Sequence, residues 1–369
     1  MADYTVNTLY DMINACNEIS SEEYTDVETN IYIEKDIDLN DYSEYWVITQ
    51  TLFQITTRLD NQKITIHGKG KDNINGTPHT IRNVYIVNGF IFNVIPYTVG
   101  TNSSSSKPSL NRTFVINDLN IECLIHKNSV DTKNNIGIFY CNRHISSSYY
   151  MTCFDGIFNN CTFNIKSFQS EAAANDNTSI FNFGTGDYVY LYFNGCIFNI
   201  EHKRLVSSGY NKNFALFKPI YGNNAILRHC QINIRLFILD NSTGTEDNNQ
   251  IFIDKVILFN CFIRVTLEAN ASEHPFYLIG GQSVLENTYF IFKPPANPNT
   301  NYFPKTAKIN INFMGSSYTN CCFYVSEIDN YPDLISISFN NQDYIKKIDP
   351  ANAKNAEYLT INVPFIVKI

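Results

Sequence analysis

A seven-residue phrase recurs along this chain and limits what the chain can fold into. It reads Asn-Asn-Cys-Thr-Phe-Asn-Ile at 159–165, Asn-Gly-Cys-Ile-Phe-Asn-Ile at 194–200 and Arg-His-Cys-Gln-Ile-Asn-Ile at 228–234. It returns as Phe-Asn-Cys-Phe-Ile-Arg-Val at 259–265 and Thr-Asn-Cys-Cys-Phe-Tyr-Val at 319–325. The cysteines stand at 161, 196, 230, 261 and 321, with intervals of 35, 34, 31 and 60. Glu-Asn-Thr-Tyr-Phe-Ile-Phe at 286–292 fills the long interval, with Thr288 in the cysteine's place. A fixed phrase at this spacing predicts stacked repeats, because each unit can bury its apolar face only against its neighbours.

Within the phrase the period is 2, so Cys161, Phe163 and Ile165 face one way and Thr162 and Asn164 the other. Stacked copies then form inward ladders of one small and two large residues. The position before the small residue is Asn160, Gly195, His229, Asn260, Asn287 or Asn320. Asn and Gly tolerate left-handed backbone, which marks a turn at the strand entrance. Further apolar runs, such as Ser179–Phe183 and Tyr188–Phe193 before Cys196, predict three short strands per repeat. That is the layout of a parallel β-helix of roughly triangular section. Excess length falls in polar loops at 98–112, 167–178, 203–213, 240–249 and 293–306. Upstream the phrase degrades: Leu119 and Val84 align with Cys161, and 63–70 and 30–39 read as the first coils. Val6, Leu9, Met12, Ile13, Cys16 and Ile19 recur at helical spacing, as expected of a helix closing the open first coil. The reading is all-β: a capping helix over 1–22, one β-helix over 23–330 and capping strands over 331–369.

Composition narrows the function classes. A net charge of -8 with no Lys/Arg run disfavours a sequence-independent nucleic-acid binder. The opening Met1-Ala2-Asp3-Tyr4 has no basic and apolar leader, and no apolar run approaches the ~20 residues that span a bilayer, so neither export nor a membrane partner is expected. Half of the ten cysteines recur at one inward repeat position, which predicts free buried thiols rather than disulfides.

Together, the amphipathic start, the Ile-Glu-Lys-Asp-Ile-Asp-Leu coil at 33–39, the Ile-Thr-Ile-His-Gly-Lys-Gly step at 64–70 and the Asn-Cys-x-Phe-x-Ile rungs resemble the right-handed parallel β-helix proteins of the pectate-lyase-like superfold. Within that superfold, chain length, the absent leader and an Asn-, Ile- and Lys-rich, AT-rich flavour resemble virion proteins of tailed phages. The resemblance covers residues 1 to 325. It implies a non-enzymatic structural protein of the particle, in a decoration, fibre or tail-associated role, assembled in the host cytoplasm. The implied partners are other virion proteins, with a homotrimer and a host polysaccharide as further partners. The alternative is a tailspike-like polysaccharide depolymerase or host-surface receptor binder. A cellular adhesin is a third reading, set back by the missing leader.

The repeat allows the outward rows to be read directly. Only Glu122 and Glu201 are acidic there; they lie in different rows with one rung between them, so they are the polysaccharide-site candidates if the protein is an enzyme. The adjacent Asp-Asp and Arg-x-Lys of galacturonan-cleaving relatives are absent, and the one His-Gly, His67-Gly68, lacks those partners. Lys166, Glu201 and Arg235 read as a ladder of alternating charge. Cys123-x-x-His126 and Cys141-x-x-His144 have zinc-like spacing, but positions three apart on a strand face opposite sides, so no metal and no cofactor are expected. Toward the C-terminus the outward rows turn apolar, at Phe262, Tyr289, Ile291 and Tyr324, which marks these four as interface candidates.

Overall fold

The protein was analysed as a computed structural model. It describes residues 1–45, 47–73, 75–98, 110–127, 136–141, 144–145, 152–169, 178–183, 189–206, 214–217, 224–240, 251–253, 256–267, 276–279, 283–293, 309–312, 317–325, 335–338, 346–348 and 365–368. Nearly all regular structure in it is strand, and every strand pairing is parallel, within three long sheets. The chain visits the sheets in a fixed order. Thr152–Asn159 belongs to sheet A, Thr162–Gln169 to sheet B and Thr178–Asn182 to sheet C, and the next rung repeats the order with Val189–Asn194, Ile197–Val206 and Phe214–Phe217.

The A-to-B corner is the tightest and most regular element. Its first residue has positive φ in each rung: Asp118 (52°), Asn160 (53°), Gly195 (64°), His229 (55°), Asn260 (52°), Asn287 (49°) and Asn320 (52°). Its amide donates to the following rung, as Asn160 N–H does to Asn194 O at 2.8 Å. Two residues on, the amide donates back, as Ile197 N–H does to Cys161 O at 2.9 Å. From Asp118 to Asn287 the corner therefore continues the interstrand ladder and pairs each of these amides.

The cysteine at each corner is more than a small apolar filler. Cys196 Sγ donates to Phe158 O (3.3 Å) and Asn194 O (3.7 Å), Cys230 to Phe193 O and Arg228 O, and Cys261 to Leu227 O and Phe259 O. Thr288 Oγ1 makes the equivalent bond to Glu286 O at 3.1 Å. What the position selects is a small donor, which explains why Thr replaces Cys once. Inside the corner, the Phe163, Phe198, Phe181, Phe193 and Phe217 rings pack across all three sheets with neighbouring centroids 5.0–5.9 Å apart, stacked for Phe163–Phe198 and Phe181–Phe217 and mostly edge-to-face otherwise.

The structure differs from the sequence reading in three places. Residues Ala2–Val6 form a strand paired with Glu28–Ile33, so the helix is shorter, Leu9–Ile19. Thr8 is the reason: its side chain accepts from Asp11 N–H while Asp11 accepts from the Thr8 amide, a capping box that starts the helix there. The helix buries Leu9, Met12, Ala15, Cys16 and Ile19 and packs mainly against the strand Phe53–Thr57 of sheet C and also against Ala2–Val6 of sheet A. Second, Val84 pairs with Cys123, four residues beyond its expected level with Leu119. The positive φ of Asn83 (58°) serves a bulge inside the strand there, not a corner. Third, the strands outrun the repeated phrase, so the borders of the expected loops are strand in Leu110–Asn117, Thr162–Gln169 and Ile197–Val206, and the rest of those loops lies largely outside the described residues. Of the expected C-terminal strands, Ile335–Ser338 extends sheet C, and Lys346–Ile348 and Phe365–Lys368 extend sheet B.

Candidate functional site

Sheet B presents its outer face as a grid, because its strands stack in register. One row runs Asn120, Thr162, Ile197, Gln231, Phe262, Tyr289, Cys322, and the next runs Glu122, Asn164, Asn199, Asn233, Arg264, Ile291, Tyr324. A third runs Leu124, Lys166, Glu201, Arg235, Thr266, Lys293. A groove of about 790 Å³ lies along the N-terminal half of this face, floored by the second and third rows. Its far wall is Asn40, Asn83 and Tyr85, supplied by the irregular first coils.

The floor is an amide ladder. Asn233 Nδ2 donates to Asn199 Oδ1 (2.8 Å), Asn199 Nδ2 to Asn164 Oδ1 (2.9 Å) and Asn164 Nδ2 to a Glu122 carboxylate oxygen (3.4 Å), while Asn233 Oδ1 accepts from Gln231 Nε2 (3.1 Å). Each amide keeps a second N–H and a second lone pair for a ligand. The groove thus offers donor and acceptor pairs repeated once per rung, at ~4.8 Å.

Glu122 and Glu201 both line this groove. They are two rungs and two residues apart, which puts their Cα positions roughly 12 Å from one another at ~4.8 Å per rung and ~3.3 Å per residue. That Cα separation is wide for the about 5–5.5 Å carboxyl spacing of retaining glycosidases and leaves the about 6.5–9.5 Å of inverting ones within side-chain reach. Glu201 is also engaged elsewhere: Lys203 Nζ lies 3.3 Å and Arg235 Nη1 3.9 Å from its oxygens. The expected row Lys166, Glu201, Arg235 stands in register, and Lys203 of Glu201's own strand comes closer to Glu201 than Arg235 does. The arrangement offers amides and charges to a polar ligand, with Glu201 held in ion pairs.

The interface candidates lie on the same face. Tyr289 is exposed, and Phe262 and Ile291 are half-buried, so these three form one patch on neighbouring rungs. Tyr324 takes the next register position after Ile291, and its side chain lies outside the described residues. Phe365–Lys368 pairs with Cys322–Val325 and extends sheet B in the stacking direction, with Lys346–Ile348 paired on its other side.

Cys123 faces the core, where burial pushes its thiol up to about 12, while His126 lies on the opposite face and its Nδ1 meets the Tyr85 hydroxyl at 2.7 Å. The two do not converge. His67 stacks on Tyr32 at 4.7 Å, and Gly68 is required by packing, since a Cβ there would meet Asp118 O at 2.1 Å. Two groups escaped the sequence reading. Asp155 is half-buried on the outer face of sheet A, and desolvation raises its carboxyl. A lone acid among apolar outward neighbours, Ile157 and Tyr192, was its only signal. Ser167 Oγ sits 2.9 Å from His202 Nδ1, but both are almost fully buried inside the stack, where no substrate reaches them. Comparison of the chain with known protein families, with curated proteins and with solved structures found no match.

Proposed function

We propose that the three sheets wind as one right-handed parallel β-helix of the pectate-lyase-like kind, and that the protein is a non-catalytic β-helical component of a tailed-phage virion that holds a host-surface polysaccharide along sheet B. The fixed A, B, C order supports the winding, since crossovers between parallel strands of one sheet are right-handed with few exceptions. The observation that carries the binding role is the groove floored by the Asn164–Asn199–Asn233 ladder. Sugar hydroxyls donate and accept at once, as do side-chain amides, and an extended glycan repeats along its length as the ladder does. The wide spacing of Glu122 and Glu201 for a retaining pair, and the ion pairs of Glu201, support binding without cleavage.

The test is incubation of the purified protein with capsular and cell-wall polysaccharides of candidate hosts. Retention on a polysaccharide without release of reducing ends or unsaturated products is the expected result. Release of such products, lost in Glu122→Gln or Glu201→Gln, overturns the non-catalytic reading in favour of a depolymerase. A second reading is favoured by the exposed Tyr289 with Phe262 and Ile291: this end of the face seats another virion protein or a sister subunit. Imaging of the assembled particle decides it, with burial of Tyr289 expected and exposure counting against it.

A further inference from the structure

The outer face of sheet A carries an apolar row where that of sheet B carries amides. Alternation with the buried Phe158, Phe193, Leu227 and Leu258 turns Val115, Ile157, Tyr192, Ile226, Ile257 and Val284 outward, one per rung and in register. Val115 is 7% exposed and Val284 38%, so the row opens toward its C-terminal end. Two residues further along each strand, a second outward row reads Asn194, Arg228, Phe259, Glu286, Thr319. Arg228 and Glu286 therefore flank Phe259, one rung to either side. The Arg228 guanidinium lies 5.9 Å from the Phe259 ring centroid, and among the described residues no ion pair joins Arg228 to Glu286.

We propose that this end of sheet A is a self-association face, on which a second copy of the chain packs across a twofold axis running along the strand Val256–Phe259. Such an axis reverses the stacking direction and sets each row opposite itself. Ile257 and Phe259 then meet their own counterparts, Ile226 meets Val284 of the partner subunit, and Arg228 meets Glu286 of the partner subunit, twice by symmetry. The occupant follows from the charges: a cation and a carboxylate placed evenly about one aromatic residue complement the same face turned around. An apolar row on a sheet surface is costly until covered, and sheets packed face to face, ~10 Å apart, interdigitate their side chains. Five rungs of sheet A, from Val189–Asn194 to Ser317–Thr319, centre on this axis. At ~4.8 Å per rung and about five residues of ~3.3 Å across, they cover roughly 400 Å² per partner, below the ~800 Å² of a standard interface. The dimer is therefore weak, and the two charge pairs fix its register. The self-association face and the groove belong to different sheets, so the dimer stands whatever sheet B binds.

The experiment is sedimentation velocity of the full chain over a wide concentration range, at low and high salt, with the variants Arg228→Glu, Glu286→Arg and the two combined. The parent is expected to dimerise reversibly and to dissociate more readily as salt rises. Each single reversal sets like charges against one another at two symmetric places and should weaken dimerisation about tenfold. The combined variant exchanges the two charges and should return to within about threefold of the parent. Arg228 is exposed and Glu286 partly so, and an unchanged melting temperature verifies each fold. Should a reversal lower it, the milder Arg228→Gln and Glu286→Gln serve in its place, each with an expected loss of about threefold. A chain that stays monomeric at every concentration refutes the self-association face and leaves the apolar row to a different protein. A dimer indifferent to the single substitutions forms elsewhere and refutes it too, and a combined variant as weak as the single ones refutes the twofold placement.

Discussion

Substitutions at Asn260 test the corner on which the stack depends. Asn260 is exposed, has φ of 52°, and its amide donates to Glu286 O at 3.0 Å, so its side chain can be changed without touching the core. A residue with a Cβ costs about 1–2 kcal/mol in left-handed backbone, and Asn bears less of that cost than most. Asn260→Ala is therefore expected to destabilise by about 1 kcal/mol, and Asn260→Val, β-branched, by about 2 kcal/mol. Asn260→Gly relieves the Cβ but gives the unfolded chain more freedom, about 0.5–1 kcal/mol, and should come out within about 0.5 kcal/mol of the parent. His229 occupies the same corner one rung earlier at φ 55°, so His229→Asn should stabilise modestly. Urea titration followed by circular dichroism gives the midpoints, with Thr162→Val as the control because it places valine in ordinary strand just after the equivalent corner three rungs earlier. Were Asn260→Val to cost no more than Thr162→Val, the backbone geometry would not be what fixes the corner.

Phe198→Ala should lose about 3–5 kcal/mol, since Phe198 is fully buried and its ring stacks on Phe163 at 5.0 Å; an unfolding midpoint within error of the parent would mean the inward register is wrong. Cys161, Cys196, Cys230 and Cys261 are buried free thiols, and the adjacent Cys196 thiol, reinforced by burial, pushes Cys230 up to about 12. All four should label slowly with iodoacetamide in the native protein, and rapid labelling would sink the thiol column. Burial lowers His67, so the folded chain resists its protonation: that contribution to stability is intact above about pH 6.5 and is lost as pH falls through the depressed folded value. Asp3, lowered chiefly by its hydrogen bond from Lys71, adds a loss below about pH 4, so melting temperature should fall in two steps between pH 8 and 3, and His67→Gln should abolish only the upper one.

The repeat was legible because one phrase specifies both a corner and a register. Asn or Gly with positive φ, then a small inward donor, places every later side chain on its face, and from Asn120 to Tyr324 the outward rows pair as the alternation reads. The same logic misplaced Val84, because asparagine's tolerance of left-handed backbone suits a bulge as well as a corner, and only the pairing of Val84 with Cys123 separates the two. Val6 was misassigned for a related reason: its spacing fits a helix and a strand equally, and Thr8 ends the ambiguity by capping. The floor of the groove could be read from the rows. Its wall at Asn40, Asn83 and Tyr85 could not, because those residues come from coils where the phrase has decayed.

A stack of this kind separates what the core demands from what the face can do. Inward positions are held to their residue types by neighbours on both sides: Phe198 touches Phe163 in the rung before and Phe217 within its own rung, and Cys230 bonds a carbonyl of the preceding rung. Outward positions carry no such constraint, so amides, cations and aromatics can be exchanged along a column without altering the winding. The outer face of sheet B shows this freedom. Its second row changes from Glu122 and three asparagines to Arg264 and Ile291, while the inward Ile121, Phe163, Phe198, Ile232, Ile263 and Phe290 stay large, apolar and buried. Because register stacks successive outward side chains at ~4.8 Å, a ligand that meets Asn164, Asn199 and Asn233 together must extend along the stack. A compact ligand would meet one or two rungs and leave the remaining amides unused, so the length of the ladder is itself an argument for an elongated ligand.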